Sequence, residues 1–350
     1  MADPIGVHLV QGPDRATPND ALAARLGGRV GVRAVLDDLN RDARVARVPG
    51  RAPRWGFTFD TRDDRTRLWW PQGVTTTADA AAPETVEGRS VVVTSWYSRD
   101  LAKVNTGSRL SFVEITDRSR LRYRHVLLVE AVLGSNGRVR VRPVRVHAGG
   151  IVWHGPYLHV AATEQGLCTF RLDDILHAPD ADRFGGYRYL VPLFFWYDAV
   201  TGAGVVPMRY SFLSLDRSAA APALMAGEYG RGKMTTRLVR YPIDPATSLL
   251  CRDAAGICRP ALLEDAGVRG MQGAVAVDGT CYLTTSFGVH RLGSLWAGRP
   301  GSWVEHAKAT PTGPEDLAYW PSRDELWSLS EHPRSRFVFA MARPDGGSGA

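Results

Sequence analysis

The chain has 350 residues, a hydrophobic fraction of 44% and a formal net charge of +7. It contains no run of 18 or more apolar residues, which excludes a helical membrane span. Its basic residues are nearly all scattered arginines, and the densest group, Arg138, Arg140 and Arg142 with Arg145, alternates as on a solvated strand face, which argues against a nucleic-acid partner.

Met1 to Gln11 shows no basic region followed by an apolar stretch, so a cytoplasmic location is expected rather than secretion. Thr17-Pro18-Asn19-Asp20 predicts the cap of a short helix through Leu26. Val32 to Asp42 carries helical spacing at Val35, Leu36 and Leu39. Residues 1–50 therefore read as a partly helical N-terminal extension that packs on, or latches, a main domain over residues 51–345.

From Trp55 onward the pattern is short alternating apolar runs broken by Gly, Pro, Asp and Asn. The ten Trp and eleven Tyr suit half-buried pleated surfaces, and the 36 Gly and 22 Pro suit many tight turns. One unit recurs: a small residue or Gly after a polar one, an apolar strand, a turn, a second apolar strand, then a third. The copies open at Gln72-Gly73-Val74, Gly149-Gly150-Ile151, Ser211-Phe212-Leu213, Gln272-Gly273-Ala274 and Glu315-Asp316-Leu317. In the fourth copy, Gly288 to Leu292 is expected as the third strand. A spacing of roughly under 60 residues fits propeller blades with loop insertions. The reading is an all-β, five-bladed β-propeller. Six blades is the nearest competitor, because 119–147 and 180–200 hold further strands.

Cys168 and Cys281 sit in apolar strands and read as buried thiols. Cys251 and Cys258 bracket a short loop and would bridge only in an oxidising compartment.

In a propeller blade the first strand lines the channel and its partner returns to the face where the first began. First-strand starts and second-strand ends therefore ring one mouth. The starts are Gln72, His147, Tyr210 with Ser211, Gln272, and Glu315 with Asp316. The ends are Trp96 with Tyr97, Thr163 with Glu164, Glu228 with Tyr229, Ser286 with Phe287, and Glu331 with His332. Aromatic walls with convergent polar groups suit a small molecule. Glu315, Asp316, His147 and His332 are the expected proton carriers. Gln72, Trp96, Tyr97, Tyr210, Ser211, Glu228, Tyr229, Gln272, Phe287 and Glu331 are the expected substrate contacts. Two adjacent carboxylates need a partner, for which Arg209, Arg336 or a metal are the candidates. Glu315, Gln72, Gln272 and His147 would favour a hard cation such as Ca²⁺. No organic cofactor is expected, and P-loop, zinc-helix and nucleophile-elbow motifs are missing from the sequence.

The motifs Trp70-Pro71-Gln72-Gly73-Val74, Thr94-Ser95-Trp96-Tyr97, His147-Ala148-Gly149-Gly150-Ile151, Ser211-Phe212-Leu213-Ser214-Leu215-Asp216, Gly227-Glu228-Tyr229, Met271-Gln272-Gly273-Ala274 and Gly313-Pro314-Glu315-Asp316-Leu317 resemble a family of actinobacterial proteins labelled as secreted proteins. The resemblance implies a propeller and no particular activity, and this chain is expected to depart from it, since Met1 to Gln11 does not read as a signal peptide. By architecture alone it is also similar to calcium-dependent lactonases and strictosidine-synthase-like propellers. The expected function is acid/base catalysis on a small molecule at the channel mouth: ester or lactone hydrolysis, or a cyclisation or condensation in actinobacterial specialised metabolism. The alternative is a propeller that binds carbohydrate or protein without catalysis.

Overall fold

The structure, a computed structural model, describes residues 6–99, 106–218 and 221–344. The opening residues of the Met1 to Gln11 stretch lie outside that range, as does the last residue of the 51–345 domain.

The apolar triplet Val91, Val92 and Val93 shows why the chain folds as it does. Successive strand residues point to opposite faces. Val91 and Val93 enter one core with Phe112, Ile151 and Trp153, while Val92 enters another with Val74, Trp327 and Val338. A strand that is apolar on both faces must be covered on both. Here the covers are the neighbouring sheets on either side. Ile151 and Trp153 likewise face one neighbour, and Val152 the other.

The strands form antiparallel meanders. The first is Trp69–Thr76, Val91–Ser98, Ser108–Glu114 and Arg122–Leu133. The second is Ile151–His154, Tyr157–Ala161, Gly166–Arg171 and Tyr189–Thr201. The third is Phe212–Asp216, Ala223–Gly227, Arg237–Asp244 and Leu262–Asp265. The fourth is Met271–Val277, Thr280–Thr285, Gly293–Arg299 and Ser302–Thr310. The fifth is Pro314–Trp320, Glu325–Ser330 and Phe337–Ala342, completed by Pro53–Thr58 from the N-terminal side. The first strands of the five meanders contact one another in a closed ring. This is the all-β propeller arrangement the repeat predicts. The further strands in 119–147 and 180–200 are outer strands of the first two meanders, which also join by a short parallel pairing of Leu190–Pro192 with Leu127–Val129.

Two local expectations are corrected. The third strand of the fourth meander is Gly293–Arg299, and Gly288 to Leu292 is an exposed loop. The first helix runs Ala16–Leu26, so Thr17 to Asp20 lie inside its first turns and no side chain caps it. Asn19 instead donates to the Leu193 carbonyl at 3.0 Å.

The N-terminal segment straps the first two meanders. Val7–Gln11 pairs with Tyr189–Thr201, and Leu22 and Ala23 pack on Ala131, Val139 and Leu176. Val32, Val35 and Leu36 of the second helix, Gly31–Asp37, enter the core between the first and second meanders. All four cysteines are unpaired; Cys168, Cys258 and Cys281 are buried and Cys251 is exposed. No helix among the described residues is long and apolar enough to cross a membrane.

Candidate functional site

The inner strands meet tightly at their starts because glycine occupies that level. A Cβ on Gly150 would lie 2.2 Å from the Leu213 nitrogen, and one on Gly273 would lie 2.4 Å from the Asp316 carbonyl carbon. The fifth meander places Asp316 there instead, in the left-handed region at φ +49°. Its carboxylate accepts amide protons from three other inner strands: Val74 at 2.9 Å, Ile151 at 3.1 Å and Leu213 at 3.3 Å. Asp316 is fully buried. Burial drives its carboxyl upward, and the amide donors oppose that shift. It ties the inner strands together at the axis.

Glu315, one residue earlier, belongs to the mouth. Gln272 Nε2 donates to Glu315 Oε1 at 2.7 Å. From the other side, Gln72 Nε2 donates to Glu331 Oε2 at 3.0 Å. Two carboxyl groups of the fifth meander are thus each held by a glutamine from a neighbouring inner strand. Burial raises Glu315 well above the usual range, reinforced by the charges of Glu331 and Asp316. Burial also raises Glu331, to about 7. Among the described residues, no arginine or lysine forms an ion pair with either. Arg209 pairs with Glu164, and Arg336 donates to the Glu331 and Asp63 carbonyls, so neither is the expected partner of the Glu315-Asp316 pair.

Tyr97 and Tyr229 lie within the field of both carboxyls, and burial is the main cause of the rise in each phenol, to about 12 for Tyr97. The His147 imidazole stacks on Tyr97 with centroids 4.5 Å apart. It is solvent-accessible yet closely surrounded, and desolvation followed by the charge of Arg209 lowers its pKa. His332 Nδ1 lies 3.7 Å from Glu331 Oε1, with its ring edge-on to Trp70. Ser211 Oγ accepts from the Tyr229 amide at 3.3 Å.

The structure therefore brings together Gln72, Tyr97, His147, Tyr229, Gln272, Glu315, Glu331 and His332, with Ser211 beside them. Four expected contacts lie elsewhere. Trp96 is fully buried between the fifth and first meanders. Tyr210 is buried, with its hydroxyl 2.7 Å from that of Tyr241. Glu228 is 1% exposed and ion-paired to Arg237. Phe287 is exposed in a loop under Arg291. Of the four candidate metal ligands, Gln272 donates to Glu315 itself, Gln72 donates to Glu331, and His147 is stacked on Tyr97. Among the described residues, no group of three or more His, Cys, Asp and Glu is arranged to hold a metal ion.

A second polar centre is absent from the sequence reading. Asp63 accepts from Arg109 at 2.8 Å and from the Tyr123 hydroxyl at 2.7 Å, and lies 2.8 Å from His125 Nε2. Ser111 Oγ lies 2.9 Å from His125 Nδ1. These residues are scattered over a helix and two strands, so no local spacing marks them.

No family model matches the chain, so the resemblance to actinobacterial secreted proteins gains no support from that comparison, and no curated protein matches it either. Among solved structures, it is similar to the β-propeller domain of Cps50 (Swd1) from Myceliophteria thermophila, at 9% identity over 86% of this chain and all of that one, with a TM-score of 0.38. A GH43_1 enzyme from Xanthomonas citri complexed with xylose matches at 10% identity over 81% of this chain and 90% of that one, with a TM-score of 0.36. The PQQ-bound aldose sugar dehydrogenase from Streptomyces coelicolor matches at 10% identity over 87% and 99%, with a TM-score of 0.35.

Proposed function

We propose that the protein is an enzyme acting by acid/base chemistry on a small molecule at the channel mouth, without an organic cofactor. The observation that carries this is the pair Glu315 and Glu331, each desolvated, each held by a glutamine amide, and neither ion-paired to an arginine or lysine among the described residues. Two carboxyl groups pushed upward by burial can remain partly protonated at neutral pH, as acid/base catalysis requires. Glu315, the more buried, serves as proton donor. Glu331, titrating near neutrality, serves as base and returns the proton. Gln272 and Gln72 fix the orientation of the two carboxyls. Tyr97 keeps its phenolic proton and donates a hydrogen bond, while the stacked His147 walls the site. The reactions that need only this machinery are ester or lactone hydrolysis and proton-driven cyclisation or condensation.

The test is turnover of a panel of lactones and aryl esters, followed as a function of pH. Glu315→Gln is expected to abolish turnover while circular dichroism stays unchanged and the melting temperature does not fall; full activity in that variant defeats the assignment. A carbohydrate-binding module is the second reading, favoured by the rings of Trp70, Tyr97 and Tyr229 around the mouth. The residues at the five blade mouths differ in type, which favours one axial site over several. Saturable sugar binding in calorimetry with no turnover of any substrate would select that reading.

A further inference from the structure

Beside the first meander lies a cavity of about 600 Å³, within the size range of small-molecule sites. It is built independently of the mouth. Arg41, Arg62, Arg109, Arg124, Arg183 and Arg188 line it, and Asp63 is the one carboxylate among its described lining residues. The ion pairs do not balance this charge. Arg41 pairs with Asp60 and Asp63, and Arg109 with Asp63 again. Arg124 and Arg188 share Asp38, and Arg183 pairs with Asp180. Arg62 has no ion pair among the described residues. Among the described residues, six guanidinium groups thus meet four carboxylates, leaving two positive charges. His125 adds none, since burial and then Arg109 lower it to about 4.

Arg109 makes this a built site. It is 4% exposed, its guanidinium lies 4.4 Å from the Trp69 ring and 4.8 Å from the Trp96 ring, and its Nε is buried without a hydrogen-bond partner. An unpaired donor of a buried guanidinium is costly unless an acceptor arrives. Part of the wall is apolar, with Leu127, Val129, Val141, Pro143 and Phe184. Ser111 is fully buried and is not on the wall, so the Ser111–His125–Asp63 chain positions Asp63 and Arg109 and offers no nucleophile.

We propose that this cavity binds a phosphate monoester with an apolar body. Two uncompensated positive charges match a phosphate dianion, guanidinium forks suit its oxygens, and the apolar wall takes the organic part.

The test is calorimetric titration of the full chain at low salt and about pH 8, where a phosphate monoester is dianionic. The probes are benzyl phosphate, phenylacetate and benzyl alcohol. Benzyl phosphate is expected to bind one site about tenfold or more tighter than either other probe, and to weaken in salt. Arg62→Glu, an exposed substitution whose folding circular dichroism checks, should cost about tenfold or more in that affinity. Phe184→Ala should weaken benzyl phosphate but leave inorganic phosphate unchanged. The proposal falls if benzyl phosphate shows no saturable binding below about 10 mM. It falls equally if Arg62→Glu binds as the parent does, or if phenylacetate binds as tightly as benzyl phosphate.

Discussion

At the scale of single residues, the mouth is governed by what burial does to carboxyl groups. Glu331 titrates near 7 in the folded chain, above the ordinary glutamate range of the unfolded one. Between those values the folded state holds a proton that the unfolded state has lost. Stability therefore falls as pH rises through that window, and the loss is complete above about 7. Glu331→Gln keeps a carbonyl for Gln72 and removes the titration. The variant is expected to be more stable than the parent by about 2 kcal/mol at about pH 8, with the gap closing near about pH 4. Urea unfolding at the two pH values checks this, and a variant equally or less stable at the higher pH contradicts it. Glu315 shifts in the same direction, so the parent retains part of its pH dependence in the variant.

At the scale of the strand, much of the site was legible because the repeat fixes which residues share a level. Gln72, Gln272 and Glu315 open successive units, and Glu331 ends a second strand, and these are the residues that meet. What the repeat does not fix is which neighbour faces inward. Trp96 and Tyr97, Tyr210 and Ser211, and Glu228 and Tyr229 are adjacent pairs in which the first residue is buried and the second is only partly buried, by strand alternation in the first pair. Glu315 and Asp316 part for another reason. The register shifts between Glu315 and Ala318, and a bulge of this kind re-aims side chains in a way no composition encodes. The same level carries a packing prediction. Gly273→Ala would set a methyl against the Asp316 backbone, which has no flexible side chain to yield. The expected loss is about 3 kcal/mol or more, read as a lowered melting temperature. A change of less than about 1 kcal/mol would mean that the inner strands have room to separate.

At the scale of the whole molecule, the ring is only as strong as its closure. Each pair of adjacent meanders shares an apolar core, but the one between the fifth and first draws on both ends of the chain. There Phe57 and Phe59, which are fully buried, pack with Trp327, Val338, Val74 and Trp96. Pro53–Thr58 also satisfies the outer edge of Phe337–Ala342, which would otherwise present unpaired amides and carbonyls. Removing residues 1–60 is therefore expected to abolish the cooperative thermal transition and to expose an aggregating edge. Removing residues 1–12 takes away Val7–Gln11, which extends the rim of the second meander, pairs with Ile257–Cys258 and buries Val7 and Leu9, but leaves the fifth meander's closure intact. That shorter deletion should lower the melting temperature and leave a single transition. Calorimetry with size-exclusion chromatography separates the two outcomes. A single sharp transition after the longer deletion would show that the meanders hold their ring without the N-terminal strand. Closure would then rest on the axial contacts of Asp316 rather than on the rim.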